Sequence, residues 1–95
     1  MTMDEIRVID NPAEPRYELW QGETLAGFIE YRLRDNQIAM THTEIDPQLR
    51  TKGLGTRLVA DALADTQARG RTVKPYCPFV AAYIREHPEY EDIVG

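Results

Sequence analysis

The sequence predicts an α+β fold in a single domain spanning residues 1–95, built on a mixed, mostly antiparallel sheet in the order β-β-β-β-α-β-α. Three observations predict it. Apolar residues alternate with a period of two through the first half of the chain. After Asp46-Pro47 the period becomes that of an amphipathic helix. A further strand-like run, Arg71–Cys77, then leads into a second helical run at Pro78.

Each element has its own signal. Glu5–Asp10 alternates weakly as a first strand and is broken by Asn11-Pro-Ala-Glu-Pro15, whose prolines cannot donate to a ladder. Arg16–Trp20 is the second strand, and Gln21-Gly-Glu23 is its hairpin turn. In the third, Leu25, Gly27, Ile29, Tyr31 and Leu33 share one face while Glu30, Arg32 and Arg34 take the other. Asp35-Asn36 turns the chain into a fourth strand, Ile38–Ile45, and such short connections make an antiparallel meander.

Leu54, Leu58, Val59, Ala62, Leu63 and Thr66 form one helical stripe, with Arg57, Asp61, Asp65 and Arg69 on the solvated side. Gly70 stands where a glycine ends a helix. The strand that follows arrives by a helical crossover and is therefore expected parallel to the fourth. Pro78 suits the first position of a helix that carries Val80, Tyr83 and Ile84 and stops before Pro88. The tail Glu89–Gly95 either closes the fold or frays.

Composition narrows the function. Ninety-five residues support one modest core and no second domain. Sixteen acidic against eleven basic residues give a net charge of −5, which argues against broad binding to nucleic acid or an anionic membrane surface. No apolar run reaches the length of a membrane span, and the acidic start Met1-Thr-Met-Asp-Glu lacks a signal peptide's apolar stretch. One cysteine excludes an internal disulfide. The expectation is a cytoplasmic monomer, and no residues are assigned to a metal.

The most informative stretch is Arg50-Thr-Lys-Gly-Leu-Gly-Thr56, between a strand and a helix N-terminus. Its two glycines let the backbone approach a ligand closely, and the free N–H groups of the first turn favour an anion. Arg50 and Lys52 add positive charge beside them. Together they suit a phosphate or pyrophosphate, although a plain glycine-containing helix start uses the same residues. A nucleotide P-loop is a poor rival, because no Lys-Thr or Lys-Ser pair follows the second glycine.

Arg50-x-x-Gly53-x-Gly55 resembles the acetyl-CoA pyrophosphate loop of the GNAT N-acetyltransferase superfamily, in the same place after a strand and at the start of a long helix. Tyr83-Ile-Arg85 is similar to that superfamily's Tyr-x-Lys/Arg signature. More narrowly, His42-Thr-Glu-Ile45, the glycine loop and Cys77-Pro-Phe-Val-Ala-Ala-Tyr83…His87-Pro-Glu-Tyr90 resemble a subfamily of roughly hundred-residue GNAT proteins with a Cys-Pro-Phe…Tyr motif. The two helices that larger members place between their first strands, and their last two strands, have no counterpart here.

The resemblance implies a minimal acetyl-CoA-dependent N-acetyltransferase with an unidentified amine acceptor. It implies that the fourth and fifth strands splay, that the backbone near Ile45 pairs with the pantetheine arm, and that Arg50, Thr51, Lys52, Gly53, Leu54, Gly55 and Thr56 hold the pyrophosphate. Tyr83 is then the acid for the departing thiolate and a cofactor contact. Arg85 is either a phosphate contact or solvated.

His42, on the fourth strand beside this loop and read as sharing a face with Ile38, Met40 and Glu44, is a candidate general base. Glu44 orients it, serves as the base itself, or has no role. Cys77, just before Pro78, is a candidate helix N-cap, where the dipole and free N–H groups favour a thiolate that could carry the acetyl group. A half-buried structural histidine, a small buried cysteine and a core tyrosine are the plain alternatives. Two other functions stay open at this point: a CoA-binding protein without transferase activity, and a protein-interaction domain.

Overall fold

A computed structural model of the chain describes residues 5–48 and 53–95. The strands are β1 (Ile6–Asn11), β2 (Arg16–Gln21), β3 (Thr24–Arg34), β4 (Gln37–Ile45) and β5 (Thr72–Pro75). The helices are α1 (Leu54–Ala68) and α2 (Pro78–Glu86), and a 3-10 helix covers Pro88–Ile93. The element order is the predicted one, and the sheet runs β1-β2-β3-β4-β5. β1 to β4 pair antiparallel, and β4 pairs parallel with β5, as a helical crossover requires.

The core lies between one sheet face and the helices. Leu58, Val59, Ala62, Leu63 and Thr66 of α1 are fully buried, with Tyr17, Leu19, Ile29, Ile38, Met40 and Val73 of the sheet. Each buried Leu, Ile, Val or Met side chain among them contributes roughly 1.5–3 kcal/mol by leaving water. α1 ends in a Schellman motif: Gly70, at φ 70°, donates to Gln67 O, and Arg71 N–H donates to Thr66 O. The tail closes the fold, because Ile93 is buried and Val94 bridges to Val73 along the outer edge of β5.

Two irregularities change which residues face which way. Between Leu19 and Trp20 the β2–β3 register shifts, so Ala26 is the extra residue and is buried. Between Glu30 and Tyr31 the β3–β4 register shifts, and Thr41 is the extra residue in β4. A bulge of this kind inverts the alternation beyond it. Ile38 and Met40 therefore point into the core, whereas His42 and Glu44 point to the open face of the sheet. This corrects the reading that put all four on one face. Leu33, read with the buried set, is exposed where β3 runs out towards its hairpin.

Candidate functional site

The splay between β4 and β5 has a visible cause. The two strands pair only from Gln37↔Thr72 to Met40↔Pro75, and one more bond runs from Cys77 N–H to Met40 O at 3.0 Å. Pro75 has no N–H to extend the ladder, and Pro78 starts α2 almost at once. β4 continues to Ile45 paired with β3 alone, so its groups on the β5 side have no strand partner among the described residues.

Into this opening faces a groove of about 380 Å³ lined by Thr43, Ile45, Gly53, Gly55, Thr56 and Phe79. The N-terminus of α1 forms one wall. Gly53 is its N-cap at φ 71°, ψ 18°, a left-handed conformation that suits glycine, and no atom of the described residues lies within 4 Å of the position its Cβ would take. Among the described residues no side chain caps this helix, and its first turn holds no acidic residue. The early N–H groups thus face the groove with nothing to repel an anion. Gly55 meets α2 directly, because a Cβ there would lie 3.0 Å from the Phe79 ring. The residues at this wall fit a phosphate-bearing cofactor. Arg50, Thr51 and Lys52 lie outside the described residues.

Cys77 is the N-cap of α2 and is 4% exposed. Its Sγ sits 3.1 Å from Thr43 Oγ1, across the splay, and makes no capping bond to the helix. Tyr83 lies one turn beyond Phe79 on the same side of α2. Its ring stacks on His87 at 3.8 Å between centroids, with Tyr90 6.2 Å away, and His87 Nδ1 is 2.9 Å from Tyr83 O. Burial, then the neighbouring Tyr90, Glu89 and Asp61, hold the Tyr83 phenol above its ordinary pKa and so protonated at neutral pH.

His42 and Glu44 are on the other side of the sheet, 52% and 61% exposed, with Nε2 2.9 Å from Oε2. A carboxylate only accepts, so Nε2 donates to Glu44 and the neutral ring keeps its lone pair on Nδ1. Behind them Phe28 meets His42 edge-on at 6.4 Å, and the Arg16 guanidinium covers Phe28 at 4.8 Å. Glu18, almost fully buried, accepts from Arg16 Nε, Asn11 Nδ2 and Trp20 Nε1.

The structure therefore brings Thr43, Ile45, Gly53, Gly55, Thr56, Phe79 and Cys77 around one opening and sets the His42–Glu44 pair on the face behind it. Thr43 and Phe79 were not singled out in the sequence. Phe79 carries a signal all the same, a large apolar residue two places into a helix and on its exposed side.

Residues 16–93 match the sequence profile of the family described as GCN5-related N-acetyl-transferase, and the chain belongs to that family. The fold is also that of the solution structure of a GCN5-like protein from Staphylococcus aureus, itself a candidate N-acetyltransferase. The two superpose with a TM-score of 0.70 at 22% identity over 100% of this chain and 91% of the other. No curated protein matches the chain. The fold and family are those of a small GNAT-superfamily protein, and family and fold together point to acyl transfer.

Proposed function

We propose that this chain is an acetyl-CoA-dependent N-acetyltransferase that passes the acetyl group to an amine. The observation that carries the reading is the groove that starts at the uncapped N-terminus of α1 and runs into the β4–β5 splay, where Thr43 and Cys77 meet. N–H groups from Gly53 to Thr56, with Arg50, Thr51 and Lys52, hold the pyrophosphate. The free backbone edge near Ile45 holds the arm, and Phe79 covers it. The bound thioester supplies an electrophilic acetyl carbon and a sulfur leaving group.

The two sides of the sheet then divide the proton chemistry. His42 Nδ1, on the open face, takes the proton that the amine loses as its N–C bond forms. Tyr83, kept protonated on the helix side, gives a proton to the sulfur as the C–S bond breaks. Cys77 either lines this path or carries the acetyl group in passing.

The test is calorimetry with CoA, joined to intact-protein mass spectrometry after incubation with acetyl-CoA and an amine panel. The expected result is binding, with acetyl transfer to at least one amine. A transient adduct of about 42 Da that maps to Cys77 and disappears in Cys77→Ala, with binding retained, establishes the covalent route. Full transfer by Cys77→Ala makes the cysteine a packing residue. Binding with no transfer to any amine leaves a CoA-binding protein, and no binding overturns the assignment of the groove.

A further inference from the structure

The open face of the sheet is charged in two opposite halves. Arg32, Ala39 and Lys74 are directly paired across β3, β4 and β5, so their side chains stand in one row on the same face. Arg34, Gln37 and Thr72 form the next row outward. Alanine at the centre leaves a notch between an arginine and a lysine, whose backbones are about 10 Å apart at two strand spacings. A cavity of about 380 Å³ lies there, and Tyr76, 66% exposed, walls it on the side towards Cys77.

Among the described residues Arg32 and Arg34 make no ion pair. The ion pairs among the described residues are Arg16–Glu18, His42–Glu44, Arg57–Asp61 and Arg69–Asp65, and none involves Arg32, Arg34 or Lys74. Lys74 Nζ already has an acceptor in Gly95 O at 3.3 Å, and it keeps two further donors for a ligand. In a chain of net charge −5, three cations gathered on one face of the sheet suit an external anion.

Across the Thr41 bulge the sign reverses. Glu30 pairs with His42 and Phe28 with Glu44, which gives the same face a half with two carboxylates and an aromatic ring. From Ala39 to Glu44 the chain covers about 13 Å, four pleated steps, which is about the length of four extended residues.

We propose, resting on the transferase reading above, that the acceptor is a peptide segment in which an acidic side chain lies two to four residues from the lysine that receives the acetyl group. The lysine ammonium is drawn to Glu44 and Glu30 beside His42, and the acidic side chain sits in the notch between Arg32 and Lys74. A free amino acid is too short to occupy both halves. Arginine presents a planar fork to a carboxylate, which favours it over a neutral group.

The test uses the intact chain, labelled with nitrogen-15, and two blocked nonapeptides with one central lysine. One carries glutamates two and four residues away on both sides, and the other carries glutamines there. The glutamate peptide is expected to shift the amide signals of Arg32, Ala39, Lys74 and Tyr76. It should bind about fivefold more tightly than the glutamine peptide, the sum of a few exposed charge contacts. That preference should shrink between about 0.01 M and about 0.15 M salt, where the screening length falls from about 30 Å to about 8 Å. It should vanish in Arg32→Gln/Lys74→Gln, whose CoA binding stays unchanged.

Equal affinity for the two peptides overturns the proposal, as does a preference that survives in the double variant. Free glutamate that shifts the same signals as strongly as the peptide overturns the need for a peptide. CoA calorimetry on the same sample keeps the two readings apart. A protein that binds CoA but ignores peptide charge has lost this inference alone, whereas one that fails to bind CoA has lost the transferase reading while the titration still decides the notch.

Discussion

Gly53 and Gly55 are glycine for different physical reasons, and the difference predicts different phenotypes. At Gly53 the constraint is the backbone, since φ of 71° costs other residues about 1–2 kcal/mol, while none of the described residues crowds its Cβ position. At Gly55 the backbone is helical and the constraint is the Phe79 ring at 3.0 Å. Phe79 is 44% exposed, so it has room to yield. Gly55→Ala also gains up to about 1 kcal/mol of helix propensity, which offsets the crowding. The expected outcome is a melting temperature within a few degrees of wild type but CoA affinity reduced several-fold, because the displaced ring narrows the groove. Thermal melts and calorimetry on one preparation check this, and unchanged affinity would show that Phe79 does not border the bound arm. Both glycines stand out in the sequence, in Arg50-x-x-Gly53-x-Gly55, as a helix start that suits an anion. What separates them is the place where α2 crosses α1, a tertiary fact that no local pattern carries.

At the scale of elements, β4 decides the geometry of the site, and β4 is where sequence reasoning met its limit. Its ends and its pairing partners follow from alternation and from the turn at Asp35-Asn36. Its bulge does not, because Thr41 is an ordinary strand residue whose extra place in the register depends on how β3 lies beside it. One extra residue moved His42 from the core face to the open face and thereby separated it from Cys77. The α1 stripe, by contrast, was fully legible, since period and burial there are the same information. The open face behind His42 is braced by Glu18, whose burial favours the neutral acid. Hydrogen bonds from Arg16, Asn11 and Trp20 outweigh that and hold its carboxyl below the usual range. A carboxyl depressed in this way stabilises the fold at every pH above its unfolded value and loses that contribution as pH falls through the folded one. Glu18→Gln should therefore cost about 2 kcal/mol at neutral pH, or roughly 8–16 °C in melting temperature for a domain of this size. The gap from wild type should hold down to about pH 4.3 and narrow below it. A gap that widens in acid would mean that Glu18 is protonated in the folded protein.

The whole molecule is a single sheet with one covered and one open face. The helices cover one face and frame the groove at their N-termini, while the other face stays open beside the same splay. β5 is an edge strand, and Val94 and Gly95 cover it, Val94 by its bridge to Val73 and Gly95 by donating to Val73 O. A domain this small has a total stability of about 5–10 kcal/mol, so a ligand that binds only the folded state shows clearly in its melting curve. CoA at one hundred times its dissociation constant adds about 2.7 kcal/mol, equivalent to roughly 10–20 °C. Gly53→Glu places a carboxylate at the mouth of the proposed pyrophosphate wall and a side chain on a left-handed backbone. Its melting point without ligand should fall by about 1–2 kcal/mol in equivalent stability, the cost of that conformation. Its gain with CoA should be abolished, because the new charge meets phosphate where the helix offers its N–H groups. The two effects are separable, since Gly53→Ala shares the backbone strain but not the charge. The alanine variant should therefore melt low yet still gain stability from CoA. If Gly53→Glu gains as much as wild type, the phosphates are bound elsewhere and the wall of α1 is structural only.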